Sequence, residues 1–337
     1  MISLEVLSQI QHIKERCAEI KPLVAIKCIT YNQELYLRDA LEGFVMQKTD
    51  FPFVALVHDD ASTDTTTKIL KEYAEKYPNI IFPIYETENQ HSKHDGSLDK
   101  ILFSALEATK AKYIALCEGD DYWIDPLKLQ KQVSFLQSHS EYGMVYAIAK
   151  RYSQEKKEFM EPMGRPYKDI EEMLLESYQV PTASILYRAD IYKEIYNKYI
   201  KGKNWLMGDY PLSLGFMTIS KIKFIPEEMS VYRILSNSAC HFTSFDKLER
   251  FCKSSYEVEK FYASLNKLNI LNKLEENFNT SLYFKSLSYP NKVISYNYYK
   301  KIKPKSLKEK CKRILCSSYY SYIVFQKINN FRLKLIK

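Results

Sequence analysis

Two acidic clusters in the chain could bind a metal ion. The first is His58-Asp59-Asp60-Ala61-Ser62-Thr63-Asp64, and the second is Glu118-Gly119-Asp120-Asp121. Three carboxylates within four residues repel one another unless a cation lies among them, so the second cluster indicates a set of metal ligands. Carboxylate oxygens are the ligands that Mg²⁺ and Mn²⁺ prefer. A cation held there would bind a diphosphate and stabilise it as a leaving group.

Helix capping is the alternative explanation for the first cluster. Asp59, Asp60 and Asp64 carry oxygens that can accept hydrogen bonds from the first turn of a following helix. For Asp64 the two interpretations stay open, whereas the crowding of charge in the second cluster favours a bound cation there.

The segments around these clusters alternate between strand and helix patterns. Apolar runs predict strands at residues 23–29, 53–57, 79–85 and 113–117, and helical spacing of apolar residues fills the gaps between them. This alternation predicts an α/β fold with a mostly parallel sheet and helices on both faces. Further strands are predicted at 142–148 and 184–187, with a closing pair at 221–225 and 230–234. Open α/β sheets bind ligands at the carboxyl ends of their strands, where both acidic clusters stand.

Three segments carry a resemblance to a known family. VAIKCITYN, LVHDDASTDTT and YIALCEGDDYWIDPLKLQKQ resemble the family 2 glycosyltransferases of GT-A fold, over about residues 22–240. The last segment is similar to the branch that builds bacterial capsule, lipopolysaccharide or other surface glycans. The resemblance implies transfer of a sugar from a nucleotide sugar, usually a UDP-sugar, to a hydroxyl of a glycan or lipid-linked acceptor, with inversion.

The resemblance also implies a nucleotide pocket. Thr30, Tyr31 and Asn32 match the segment that lines this pocket, and Asp59 and Asp60 match the acid pair that contacts uracil and ribose. Ala61 stands where the family often has glycine, a departure from which little consequence is expected.

The metal and the base are implied in the same way. Glu118-Gly119-Asp120 stands at the family's DxD motif, with Asp120 as the direct ligand of Mn²⁺ or Mg²⁺ and Asp121 beside it. Glu118 replaces the first Asp of the motif, which leaves its role at the ribose or at a metal-bound water less defined. Asp209 matches the catalytic base. The alternative for Asp209 is the N-cap of a helix that starts near Pro211, and both roles can hold at once.

Three more residues have an open role. His241 follows the last predicted strand, where the family sometimes has a metal-ligating histidine. Arg233 could neutralise the diphosphate or pair with a carboxylate. Trp123 could form a platform under a sugar ring or pack in the core.

The net charge of +8 is unevenly distributed. Residues 281–337 hold 14 of the 49 Lys and Arg residues and one acid, Glu309, so this segment carries +13 and residues 1–280 carry −5. Basic amphipathic segments can bind anionic membranes. A solvated helix face or a contact in a homo-oligomer are the alternatives. Because the acidic part holds the proposed site, the charge supports no nucleic-acid partner.

The remaining features bound the classes of function. No run of about 18 apolar residues and no CxxC pair occurs, so we expect reduced thiols and a cytoplasmic protein, associated with the inner face of the membrane if the basic end binds lipid. A nucleotidyltransferase would normally have a glycine-rich loop after strand one, which TYNQE lacks. A non-catalytic carbohydrate-binding protein stays an alternative. The expected organisation is an N-terminal helix at 1–20, a GT-A domain at 21–242 and a helical basic extension at 243–337.

Overall fold

The computed structural model of the chain describes residues 2–93, 95–235, 242, 244–304, 310 and 318–324. The chain forms two compact units. The first contains residues 1–170, 178–203 and 209–238, and the second contains residues 171–177, 204–208 and 239–337. The predicted boundaries at residues 20 and 242 stay predictions.

The described strands all belong to one mixed sheet in the first unit. They are β1 Val24–Thr30, β2 Phe53–Asp59, β3 Ile81–Tyr85, β4 Tyr113–Leu116, β5 Tyr122–Trp123, β6 Tyr142–Ser153, β7 Glu158–Met163, β8 Leu186–Arg188 and β9 Lys221–Ile234. Their order in the sheet is β3-β2-β1-β4-β8-β6-β9-β5, with β7 paired to β6. Strands β1 to β4 are parallel to their neighbours in this group, and β8 then pairs antiparallel with β4.

The described helices begin and end as follows: α1 Leu4–Ile20, α2 Leu37–Val45, α3 Thr66–Lys76, α4 Ser97–Thr109, α5 Lys128–Ser138, α6 Ile170–Leu175, α7 Ala189–Ile195, α8 Asp209–Ile219, α9 Phe245–Leu265, α10 Leu271–Ser286 and α11 Lys292–Lys301. The predicted α/β fold is confirmed, since helices alternate with the first four strands. The helical character predicted from residue 243 onward holds for α9, α10 and α11.

The core of the first unit lies between the parallel strands and the helices that connect them. Every residue of β2 is buried, which explains its wholly apolar start. Helix α2 turns Leu37, Leu41 and Phe44 toward this core. Gly43 lets α2 approach β5 closely, because a Cβ atom at this position would lie 2.9 Å from the backbone nitrogen of Trp123. These contacts position the carboxyl ends of β1, β2 and β4.

The prediction of a closing pair of strands is wrong. Residues 221–234 form the single strand β9, which runs parallel to β6 over its whole length. The pairing shifts register where Ile225 is followed by Pro226, Glu227 and Glu228, so this polar interruption forms an irregularity within one strand. Proline lacks the N–H that a regular ladder needs and is tolerated at such bulges. The short strand β5 and the exposed strand β7 were not predicted.

The second unit has a separate core of aromatic side chains. Phe245, Leu248 and Cys252 on α9 pack with Leu282 and Tyr283 on α10, and Tyr296, Tyr298 and Tyr322 belong to the same cluster. Of the described residues, no helix is long and apolar enough to cross a membrane.

Candidate active site

The loops after β1 and β2 are joined by hydrogen bonds at one edge of the sheet. Asn32 Oδ1 accepts from the Thr63 backbone N–H at 2.7 Å, and the Asn32 N–H donates to Ser62 Oγ at 2.9 Å. Glu34 Oε2 accepts from the Thr65 N–H at 2.9 Å. Asn32 has φ 51°, in the left-handed region that asparagine tolerates. The side chain of Asn32 therefore builds the loop pair, while Tyr31 beside it is 45% exposed.

Asp59 and Asp60 are both buried and both organise loops. Asp59 Oδ1 accepts from the Ser62 N–H at 3.0 Å, within the loop that precedes α3 and not in the first turn of that helix. Asp60 accepts from the backbone N–H groups of Gln90 and His91, at 2.7 and 3.0 Å, and so holds the loop that follows β3. The predicted contacts of this acid pair with uracil and ribose stay predictions.

Ala61 has a backbone conformation that explains the glycine common at this position in the resembling family. Its φ is 63°, which costs an L-residue with a Cβ atom about 1 kcal/mol or more relative to glycine. The departure expected to have little consequence therefore carries local strain.

Gly119 brings the second acidic cluster against the end of β1. Its N–H donates to the Ile29 carbonyl at 2.9 Å. A Cβ atom at this position would lie 2.4 Å from Gln33 Oε1 and 2.9 Å from Thr30 Oγ1, so only glycine fits without displacing these side chains. Thr30 Oγ1 and Gln33 Oε1 are buried and have no hydrogen-bond partner among the described residues.

The carboxylates of the second cluster are held in a poorly solvated environment. Burial raises the pKa of Glu118 to about 7, and the charges of Asp120 and Asp209 add to this shift. Burial also raises the pKa of Asp120, against a side-chain hydrogen bond with Gln33 that lowers it. The pKa of Asp121 lies well above its usual range because the group is buried beside Asp120. The charge of Asp120 raises the pKa of both Glu118 and Asp121, which agrees with the mutual repulsion predicted from the spacing of these acids.

Lys27 is a charged residue of the site that the sequence reasoning did not single out. It lies within strand β1, whose residues before Thr30 are otherwise apolar, and it pairs with Leu116 of β4. The ladder continues past β4, since Cys117 N donates to the Lys27 carbonyl at 3.2 Å. Glu118 therefore follows on the same face as Lys27. The positive charge of Lys27 lowers the pKa of both Glu118 and Asp209. A single charged residue within a buried strand was the sequence feature that could have indicated Lys27 as part of the site.

Arg233 is already paired within the protein. Its NH2 donates to Asp39 Oδ2 at 2.6 Å and its NH1 to the Asp120 carbonyl at 2.6 Å. The guanidinium lies 4.9 Å from the ring centroids of Tyr36 and of Tyr122. Of the two roles considered for Arg233, the structure shows the carboxylate pair. Neutralising a diphosphate stays a prediction.

Asp209 is the first residue of helix α8, and Pro211 lies in the first turn of that helix. Asp209 Oδ1 accepts from the Tyr210 N–H at 2.9 Å, and Oδ2 accepts from Thr182 Oγ1 at 3.2 Å. Burial raises its pKa, and its charge in turn raises the pKa of Glu118. The structure thus brings the side chain of Asp209 within electrostatic range of the second acidic cluster.

The donor atoms suit a hard divalent cation in kind, although not as a complete protein cage. Glu118 and Asp120 supply carboxylate oxygens, whereas Asp121 accepts the Arg233 N–H at 2.8 Å. Within the part of the chain that the structure describes, no group of three or more His, Cys, Asp or Glu side chains could hold a metal. Mg²⁺ is often held by one or two carboxylates together with substrate phosphates, and Glu118 with Asp120 fits that pattern.

Two further predictions have different outcomes. His241 lies outside the described residues. Trp123 is 2% exposed, its ring meets Phe44 edge-on at 5.1 Å, and its indole N–H donates to the Ala183 carbonyl at 2.7 Å. Of the two roles considered for Trp123, the structure shows packing in the core and not a platform under a sugar ring.

Comparison with known proteins decides the family. The model of glycosyl transferase family 2 matches residues 26–196, which include the loops after β1 and β2 and the second acidic cluster. The chain belongs to glycosyl transferase family 2. An uncharacterized protein of Mycobacterium tuberculosis is 35% identical over 228 residues, which cover 66% of this family 2 chain and 62% of that protein. The family 2 chain thus spans less than two thirds of the length of this relative.

Solved structures agree with this family 2 chain in fold. The crystal structure of residues 1–349 of Staphylococcus aureus TarS has a TM-score of 0.54 at 16% identity, covering 82% of this chain and 78% of that one. The mannosyltransferase PcManGT from Pyrobaculum calidifontis has a TM-score of 0.55 at 14% identity, covering 97% and 89%. TarS is also a sequence relative, 31% identical over 113 residues, or 33% of this chain and 18% of that protein.

Proposed function

We propose that the chain is an inverting glycosyltransferase that moves a sugar from a UDP-sugar to a hydroxyl of a glycan or lipid-linked acceptor, in the synthesis of a bacterial surface polysaccharide. The observation that carries the proposal is the buried carboxylate of Asp209, which lies close enough to the second acidic cluster for its charge to raise the pKa of Glu118. Two similar proteins support it. TarS is a poly(ribitol-phosphate) beta-N-acetylglucosaminyltransferase solved with UDP-GlcNAc, and PcManGT was solved with GDP-Man and Mn²⁺.

Asp209 acts as the general base in this proposal. The acceptor hydroxyl must lose its proton as its oxygen attacks the anomeric carbon, and a carboxylate within reach can take that proton. Because burial raises the pKa of Asp209, its carboxylate binds a proton more strongly than a solvated aspartate does. The Tyr210 N–H and the Thr182 hydroxyl hold its two oxygens.

The donor is bound by the loops that end β1, β2 and β4. Tyr31 offers an exposed ring next to buried Thr30, which suits stacking against a nucleobase. Asp59 and Asp60 hold the surrounding backbone. Glu118 and Asp120 are the residues that would hold Mn²⁺ or Mg²⁺, and the cation would supply positive charge to the leaving diphosphate. A side-chain hydrogen bond with Gln33 lowers the pKa of Asp120, so Gln33 favours the charged form of this carboxylate.

The base is tested by Asp209→Asn. The amide keeps an oxygen for the Tyr210 N–H but cannot take the acceptor proton, so we expect transfer to fall by about 100-fold or more, the lower end of general-base contributions. Binding of UDP, measured by calorimetry with Mn²⁺ present, is expected to stay nearly unchanged. Sugar transfer is measured on a panel of UDP-sugars with a set of acceptor glycans.

Asp190→Asn is the matched control. Asp190 lies in the first turn of α7, and its Oδ1 accepts from the next residue's N–H at 2.9 Å, as Asp209 Oδ1 does. This variant should keep the transfer rate of the natural protein. Retention of most of the transfer rate by Asp209→Asn contradicts the base assignment. Absence of both transfer and donor hydrolysis in the unaltered chain favours a non-catalytic carbohydrate-binding protein.

The basic end of the chain is assigned a membrane partner. Residues 281–337 carry +13, and anionic lipid attracts such a segment by about 1 kcal/mol for each Lys or Arg near the surface. Lipid-linked acceptors lie at that surface. This would place the protein on the inner face of the cytoplasmic membrane.

A further inference from the structure

A short turn of 3-10 helix, Thr182–Ser184, contacts the carboxylate of Asp209. The contact is made by one side chain, in which Thr182 Oγ1 donates to Asp209 Oδ2 at 3.2 Å. Asp209 Oδ1 is meanwhile held by the Tyr210 N–H. Both carboxylate oxygens are thus tied, and the direction of their remaining lone pairs depends on where Thr182 lies.

The position of this turn is determined by buried hydrogen bonds from two other elements. The Trp123 indole N–H of β5 donates to the Ala183 carbonyl at 2.7 Å. The Gln132 side-chain amide of α5 donates to the Ser184 carbonyl at 2.7 Å. Trp123 is 2% exposed and Gln132 is fully buried, so water does not compete for these two carbonyls.

Lys128 joins these two donors. Its Nζ donates to Gln132 Oε1 at 2.9 Å and lies 4.1 Å from the centroid of the Trp123 ring. The side chain is fully buried, and burial lowers its pKa to about 7. A lysine is costly to bury, and here its partners are the two side chains that hold the turn. The hydroxyl of Ser184 completes the turn by donating to the Pro181 carbonyl at 2.8 Å.

We infer that Thr182 is a positioning residue for Asp209, and that Trp123, Lys128 and Gln132 form a clamp that holds Thr182 in place. The inference rests on the proposed role of Asp209 as base. It also assigns a role to the WIDPLKLQKQ segment, which supplies no group to the site itself. This segment orients the base by holding the turn that carries Thr182. A base misplaced by about 1 Å can lose 100-fold in rate, so a fixed carboxylate is of direct value to the reaction.

The test compares Thr182→Val with Thr182→Ser. Valine keeps the shape of threonine and removes the hydroxyl, whereas serine keeps the hydroxyl. We expect Thr182→Val to lower kcat for sugar transfer by about tenfold, the effect of one hydrogen bond to a charged group, with KM for the UDP-sugar within about twofold of the natural protein. Thr182→Ser should restore most of kcat. Trp123→Phe, which removes the indole N–H together with part of the ring that Lys128 contacts, should also lower kcat.

Thr109→Val is the matched control. Thr109 is buried, and its hydroxyl donates to the Leu106 carbonyl at 2.7 Å within helix α4. Its loss should affect unfolding without changing kcat. A Thr182→Val variant with the kcat of the natural protein, beside an inactive Asp209→Asn, overturns the positioning role and leaves the proposed function standing. A loss of kcat that serine does not restore also overturns it. Absence of transfer in the natural protein overturns both.

Discussion

At the scale of single residues, burial is the main cause of the raised pKa values of the carboxyl groups in the site. Glu118 lies at the end of the buried strand β4, and its pKa of about 7 follows mainly from that burial. Lys27 offsets part of the free-energy cost of burying these carboxylates in their charged form, because its charge lowers the pKa of Glu118 and of Asp209. A bound cation would supply the remaining positive charge. Without it, the folded chain carries unfavourable negative charge at this edge of the sheet.

The pH dependence of stability tests this description of Glu118. A carboxyl group whose folded pKa is raised stabilises the folded state below its unfolded pKa and loses that contribution as pH rises through the folded pKa. In metal-free buffer, we expect the free energy of unfolding to fall by about 2 kcal/mol more in the natural protein than in Glu118→Gln between pH 5.5 and 8.5. Urea unfolding at the two pH values measures this. Equal falls in the two proteins contradict the raised pKa.

At the scale of elements, the site exists because loops from different strands fit closely. The loop after β1 is bonded to the loop after β2 through Asn32 and Glu34. The acidic loop after β4 approaches β1 at Gly119, where Thr30 and Gln33 leave no space for a side chain. Helix α2 approaches β5 in the same manner at Gly43. The approach at Gly119 places a polar loop against the end of β1.

Gly119→Ala tests the approach of the acidic loop to β1. The added Cβ atom must displace Gln33 or Thr30, and we expect a loss of about 1 to 3 kcal/mol in the free energy of unfolding. Binding of UDP with Mn²⁺ should weaken as well, because Asp120 moves with the loop. Gly208→Ala is the control for stability, since a Cβ atom there meets nothing within 4 Å. An unfolding curve of Gly119→Ala equal to that of the control contradicts the close fit.

At the scale of the whole molecule, charge is divided between two parts. Residues 1–280 carry −5 and contain the acidic site, and residues 281–337 carry +13. This division does not coincide with the two compact units, since α9 and most of α10 belong to the second unit but precede residue 281. A net charge of +8 therefore describes neither part. The two parts are expected to have different partners: a nucleotide sugar for the first and anionic lipid for the second.

Binding to lipid vesicles tests the assignment of the basic end. We expect the full chain to sediment with vesicles of anionic lipid at low salt. Replacing Lys303, Lys305, Lys308 and Lys310 with Gln should lower the partition coefficient by about 100-fold or more, since four charges at about 1 kcal/mol each correspond to about a thousandfold. Salt at 0.5 M should weaken binding of the natural protein.

A variant with the same change of charge elsewhere is the control. Lys14, Lys68, Lys100 and Lys112 are exposed residues of the first unit, and their replacement with Gln should leave sedimentation unchanged. Equal sedimentation of the two variants contradicts a role for the basic end. Binding to neutral vesicles of similar strength contradicts an electrostatic origin.

The amino-acid sequence by itself determined the strands and helices of the first half of the chain and the family. Strand alternation from β1 to β4 is a local property, since apolar periodicity depends on residues a few positions apart. The acidic clusters are equally local, because their repulsion is visible from spacing alone. The continuity of β9 was missed, since Pro226 and two glutamates resemble a turn when read without the partner strand β6.

Only the tertiary structure decided which partners the site residues have. Arg233 pairs with Asp39, 194 positions away, and Thr182 contacts Asp209, 27 positions away. Trp123 belongs to the core because its indole N–H meets the Ala183 carbonyl, 60 positions along the chain. Such contacts depend on the register of neighbouring strands and on the space between loops, and residues adjacent in sequence carry no information about either. The acidic clusters can therefore be recognised from the local sequence. Which carboxylates are hydrogen-bonded within the protein, and which can bind a substrate, depends on the tertiary fold.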